Sequence, residues 1–174
     1  IEGAFSKGFD NITSGEIFSL IEPFAGYAFN KAHSVSYALI SYWTAYFKTH
    51  YPVEYMTSVL NCSVDNPDKV ISAINESSKL HIPILLPNIN RSEAFFSIEN
   101  EDIETPSIRF GLAAVKTIGE TAIRPIVEER KEKGPYSSID NFCRRADIHG
   151  LNRRTIESLI KSGAFDNFGD RGAI

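Results

Sequence analysis

Apolar residues recur at helical spacing along almost the whole chain, and the one stretch that breaks the pattern is fenced by prolines. Ile17, Leu20, Ile21 and Phe24 fall at i, i+3, i+4 and i+7, which predicts a helix with one buried stripe. Thr13-Ser14-Gly15-Glu16 ahead of it reads as a capping box, and Pro23 should kink or end the helix near Gly26. A longer helix is expected over about 31–50, bounded by Pro52. Its stripe is Val35, Leu39, Tyr42 and Tyr46, widened by Trp43 and Phe47. Pro52 suits the first position of a third helix through Val53, Met56, Val59 and Leu60. Asp65-Asn66-Pro67 repeats the cap-and-proline signal before Val70, Ile71 and Ile74. Then the period changes. Ile82-Pro83-Ile84-Leu85-Leu86-Pro87 predicts an edge strand or extended segment. Ala94–Ile98 and Ser107–Phe110 add two short strand candidates around a turn, Glu99-Asn100-Glu101-Asp102, whose acids are expected to be solvated.

Helical spacing resumes after Gly111. Leu112, Ala113, Val115 and Ile118 lead to Gly119, and Ala122, Ile123, Ile126 and Val127 mark a helix ending near Gly134-Pro135. Ser137 and Asp140 read as a capping box for a helix through Ile139, Phe142 and Cys143. A last helix, with Ile156, Leu159 and Ile160, follows Gly150-Leu151-Asn152 and stops at Gly163. Residues 109–165 are thus two helix–turn–helix pairs in tandem, each with a glycine-containing connection. The expected class is mainly α: a helical region with a small β element over 1–108, then a tandem helix-hairpin-helix domain over 109–174.

Charge divides at the same place. Residues 1–108 carry 6 basic and 13 acidic groups, whereas 109–174 carry 12 basic and 9 acidic ones, so the overall −4 hides a basic C-terminal part. Apolar residues make up 43% and charged residues 23%, which excludes wholesale disorder. The most apolar stretch, Tyr37 to Phe47, is interrupted by Ser41 and Thr44, so no run approaches the roughly 18 residues of a membrane span. Two cysteines 81 positions apart make no disulfide framework or paired-CxxC zinc site, and fit a reducing, cytoplasmic setting. A chain that opens on Ile1, with Met56 its only methionine, reads as a piece of something longer.

Chemistry is confined to two clusters. In a helix-hairpin-helix the glycine turn lets the backbone approach a phosphate, and the amides opening the next helix face that anion. Val115-Lys116-Thr117-Ile118-Gly119-Glu120 fits the hydrophobic–x–Gly–hydrophobic–Gly hairpin except that Thr117 occupies the first glycine position, where a β-branched residue at positive φ is costly. Arg153 and Arg154 open the last helix, where cations are mildly unfavourable, which suggests phosphate contact as their task. Lys116, Thr117, Gly119, Gly150, Asn152, Arg153 and Arg154 are therefore the candidate DNA-backbone residues. The same pattern also fits a hairpin that only packs and arginines that only solvate a face. Asn30-Lys31-Ala32-His33-Ser34 is the second cluster: donors for nucleotide phosphates, or else an N-cap with an exposed first turn. The aromatics Tyr37, Tyr42, Trp43, Tyr46, Phe47, Tyr51 and Tyr55 are read as core rather than as a base-stacking platform. His33, His50, His81 and His149 have no ligand spacing, and no HExxH, DxD pair, Walker loop or GxGxxG occurs, so no catalytic or metal residue is expected.

At this point the residues resemble a known family. Phe24-Ala25-Gly26-Tyr27-Ala28-Phe29-Asn30-Lys31-Ala32-His33-Ser34, with Tyr37–Tyr42 and Lys48–Pro52, is similar to the fingers region of the bacterial C-family replicative polymerases, the DNA polymerase III alpha subunits. The resemblance continues through Leu85–Ser92, Arg109–Lys116, Leu151–Arg154 and Leu159–Asp166, covering nearly the whole chain in order. It implies that residues 1–108 are distal fingers and 109–174 a tandem helix-hairpin-helix domain. It also implies primer–template duplex held without regard to sequence, an incoming dNTP, and other replicative subunits as partners. Catalytic aspartates would lie in a palm outside this chain, Mg²⁺ would serve the full-length enzyme, and this piece alone would be inactive. It further places Asn30, Lys31, His33 and Ser34 near the nascent base pair. Thr117 departs from the family's glycine, and Trp43 stands at a position expected to be polar, where it is read as deepening local packing. The rival classes are a helix-hairpin-helix module of a repair ligase or nuclease, and a structural helical adaptor.

Overall fold

The computed structural model describes residues 2–26, 30–99, 106–146 and 151–172. They are mainly helical, with one small sheet. The chain divides into two compact units, 1–45 and 46–174.

The first unit holds α1 (Glu2–Phe5), α2 (Asn11–Ala25) and most of α3 (Lys31–His50). The cap of α2 is Asp10, three residues before the expected Thr13: its carboxylate accepts from the Thr13 amide at 2.8 Å and from the Thr13 hydroxyl at 2.7 Å. A carboxylate is the stronger acceptor for an orphan amide, so the earlier register wins. Pro23 lies inside α2, which runs two residues further before ending at Gly26. The larger departure concerns burial. The expected buried stripe of α2 is in the open, with Leu20 72% and Phe24 70% exposed, and so are Tyr37, Tyr42, Trp43 and Tyr46 of α3. These four are not core, nor are the exposed Phe47 and Tyr51, and Trp43 is half open to solvent; of the seven aromatics only Tyr55 packs against a buried cluster. Among the described residues before 46, Ser14 alone is buried, and α1, a single turn, is too short to cover a 20-residue helix.

The second unit contains two cores. In the first, α4 (Pro52–Cys62) and α5 (Pro67–Lys79) pack on a three-stranded sheet through Met56, Leu60, Ala73, Phe96 and Ile108. Pro52 opens α4, and Asn66 caps α5 by accepting from the Lys69 amide. The sheet consists of β1 (Ile84–Leu85), β2 (Ser97–Glu99) and β3 (Ser107–Arg109). β3 is central, parallel to β1 (Ile84 opposite Ile108) and antiparallel to β2 (Ile98 opposite Ile108). The proline-fenced strand is thus an edge, where missing amides leave no ladder bond unmade. Glu99 is not a solvated turn acid: it is held by Arg109 at 2.5 Å and by Arg91. Asn100, Glu101 and Asp102 lie outside the described residues.

The second core joins α6 (Glu120–Lys133), α7 (Ile139–Arg145) and α8 (Arg153–Ser162) around Leu112, Ile123, Ile126, Phe142, Leu159 and Phe165. The helix expected after Gly111 is only a 3₁₀ turn, Leu112–Ala114. Its amides are committed elsewhere: Leu112 N donates to Glu93 O at 3.0 Å and Ala113 N to Ala94 O at 2.9 Å. This pairing runs so close that a Cβ on Gly111 would stand 2.4 Å from the Phe95 carbonyl carbon. The cap of α7 is Ser138, one residue after the expected Ser137, accepting from the Asn141 amide. Asn152 caps α8, and Gly163 ends it in the left-handed region at φ 87°. Residues before 109 also enter this core. Ile89 is fully buried within it, and Arg130, itself buried, donates to Ile89 O at 2.9 Å and Ser92 O at 2.8 Å.

Candidate nucleic-acid interface

Two bends make the site. In the first, Val115–Gly119 link the 3₁₀ turn to α6; Ile118 is buried and anchors the bend, while Lys116, Thr117 and Gly119 are exposed. Thr117 has φ 75°, the left-handed conformation that a glycine takes at no steric cost. Gly119 sits in extended backbone (φ −96°, ψ 155°) and caps α6 without a side-chain hydrogen bond, so no side chain of its own stands over the opening amides. A Cβ there would meet only Thr121 Oγ1, at 3.8 Å.

The second bend precedes α8. Leu151 is buried as its anchor, and Asn152, Arg153 and Arg154 are exposed. Asn152 Oδ1 accepts from the Thr155 amide at 2.9 Å, so its side chain is committed to capping. Gly150 lies outside the described residues. Arg153 is 94% exposed and pairs with Glu157 one turn on, at 2.9 Å. Arg154 has no acidic partner among the described residues. The first bend meets the middle of α8: Thr117 Oγ1 is 2.9 Å from Ser158 Oγ of that helix.

The cations of the C-terminal part sort into two groups. Of the twelve Lys and Arg side chains in 109–174, eight have an acidic partner. Several of these are structural. Arg145 binds both carboxylate oxygens of Glu129, donates to Gly134 O and Pro135 O, and lies 4.6 Å over the Tyr136 ring. That arginine holds the Glu129 carboxyl below its ordinary range, while burial pushes the Tyr136 hydroxyl up to about 12. Lys116, Arg144, Arg154 and Lys161 are left without an acid among the described residues. Lys161 was missed by motif reasoning, because it lies outside both bends. Only its helical register with Arg154, seven positions earlier, signals it.

The other cluster opens α3 in the first unit. Asn30 Oδ1 accepts from the His33 amide at 3.0 Å, so Asn30 is an N-cap. Lys31 and His33 are exposed, Ser34 is partly buried, and the His33 ring lies 4.4 Å from that of Tyr37. This cluster belongs to the first unit and the two bends to the second. Among the described residues no three His, Cys, Asp or Glu side chains gather to hold a metal ion, and no helix is long and apolar enough to cross a membrane.

Known proteins resemble this chain along its whole length. DNA polymerase III subunit alpha of Xylella fastidiosa (strain 9a5c) is 44% identical over 172 residues, 99% of this chain. The subunits of Pseudomonas aeruginosa and Thermus aquaticus are each 42% identical, over 97% and 100% of it. In each case the chain spans 14% of the relative's own length. The helix-hairpin-helix motif model matches residues 81–174, which include both bends. The chain belongs to the helix-hairpin-helix family and, from end to end, matches one segment of the DNA polymerase III alpha subunits.

Proposed function

We propose that this chain serves a bacterial replicative DNA-directed DNA polymerase as its distal fingers and its duplex-gripping domain, acting in the cytoplasm with the other replicative subunits. The single observation that carries the reading is the first bend tied to α8, with Lys116 on the bend and Arg154 on the helix both exposed and without an acidic partner among the described residues. Phosphates would be held by the amides opening α6 at Gly119, by Lys116, and by Arg153 and Arg154 at the second bend with Gly150 and Asn152. Such contacts position DNA without reading bases, as a replicative polymerase requires. Lys31 and His33, on an exposed turn that Asn30 caps and Ser34 completes, would face the incoming dNTP or template. The division of labour is then 1–108 for fingers and 109–174 for grip, although Ile89 and Ser92 help build the grip's core. Nucleotidyl transfer and its Mg²⁺ belong to a palm outside this chain. The described carboxylates do not form a cation-holding group, and no step here runs through a metal. The likeness over residues before 81 favours a polymerase over a repair module, which needs only the hairpins.

The test is fluorescence anisotropy of the 174-residue chain with labelled primer–template duplexes of unrelated sequence. About three phosphate contacts should weaken binding roughly 40-fold between about 50 and 200 mM salt, equally for each duplex. Salt-independent binding, sequence selectivity, or no binding at low salt refutes the reading. The chain should not extend the primer when Mg²⁺ and dNTPs are supplied.

A further inference from the structure

We infer that the Thr117–Ser158 hydroxyl pair is a positioning contact that ties the first bend to one face of α8 as a single phosphate track, and that Lys161 is a further member of that track. This rests on the duplex-gripping reading above.

Thr117 is a β-branched residue at φ 75°, a conformation that costs on the order of 1–2 kcal/mol and persists only where surroundings impose it. The side chain that makes the conformation costly is also the one that makes the contact. Its Oγ1 reaches Ser158 Oγ across 41 positions of sequence. Glycine would take the same backbone freely and lose the tie.

Ser158 lies in the middle of the α8 face that the tie selects. Arg154, Ser158 and Lys161 sit at i, i+4 and i+7 of one helix and share that face. Arg154 and Lys161 are exposed and have no acidic partner among the described residues, whereas Arg153, on a different face, is held by Glu157. Arg154 and Lys161 stand about 10 Å apart along the axis, the rise of about three nucleotides of one strand. Lys116 precedes Thr117 and is exposed, so the hydroxyl tie fixes the backbone that carries it.

The experiment counts phosphates through the slope of log affinity against log salt, with the 174-residue chain and duplex DNA. Lys161→Gln should make the slope shallower by about 0.9, so the affinity lost between about 50 and 200 mM salt shrinks roughly 3.5-fold. Thr117→Val keeps the branched shape but loses the hydroxyl; it and Ser158→Ala should each produce the same change as Lys116→Gln. Adding Lys116→Gln to Thr117→Val should change the slope no further, and Thr117→Ser should keep the original slope. Slopes unchanged in Thr117→Val and Ser158→Ala, with only the unfolding temperature moved, overturn the positioning role. An unchanged slope in Lys161→Gln, a surface change that spares the fold, overturns its place in the track. If the parent chain binds duplex without salt dependence, the duplex-gripping reading itself has failed, a result separate from either of these.

Discussion

The two units carry similar helical patterns but use them differently. In 46–174 the periodic apolar residues close into two cores, so Phe142, Leu159 and Ile108 are fully buried. In 2–45 the same kind of stripe, on α2 and α3, stays open. Amphipathic spacing therefore specifies a helix and a sticky face, while a core needs a second surface of matching length. Stability should reside almost wholly in the second unit.

The strongest way to break that contrast is to hollow the second unit. Phe142 has no exposed surface and packs edge-on to Tyr136 and Phe165, with ring centres 5.1 and 5.0 Å away. Phe142→Ala should cost about 3–5 kcal/mol and lower the thermal midpoint on the order of 10 °C by calorimetry. A loss below about 1 kcal/mol would show that this core does not hold the unit.

A smaller effect should appear in acid. Arg109 holds the Glu99 carboxyl below its ordinary range, and Arg145 does so for Glu129. A carboxylate depressed in the folded state stabilises fully above its unfolded pKa, about 4.3, and the contribution disappears as pH falls through the folded value. The unfolding midpoint should be level between about pH 7 and 5 and then fall below about pH 4. Glu99→Gln should make that acid limb shallower; an unaltered limb would remove Glu99 as its source.

The smallest effect is expected in the first unit. Tyr42→Ala should change stability by less than about 0.5 kcal/mol, because that side chain is 66% exposed. Trp43, the single tryptophan, should already emit as a solvated indole and shift little on unfolding. A blue-shifted native emission would mean that this face is covered after all.

Much of the fold was legible because its punctuation is local. Pro52, Asn66-Pro67 and Gly163 mark helix ends within a residue or two, since each acts on backbone geometry within one turn. Caps were displaced. Asp10 and Thr13 both offer an acceptor, as do Ser137 and Ser138, and only competition between registers decides. Burial on α2 and α3 was not legible, because period reveals a face and not what covers it. At the site, the positive φ of Thr117 followed from its place in the hairpin pattern. Its tie to Ser158 did not, nor did the pairing of Arg130 and Lys131 with Glu93 or of Arg145 with Glu129, since such partners are brought together by the fold over long sequence separations.

Gly111 carries one more consequence. Here two stretches of main chain press together with no room for even a methyl group, so the position is policed by volume rather than by chemistry. Even alanine would force the main chain apart. The seam between sheet and hairpins is thus held by main chain against main chain, through a close approach and two backbone hydrogen bonds, with no side chain between.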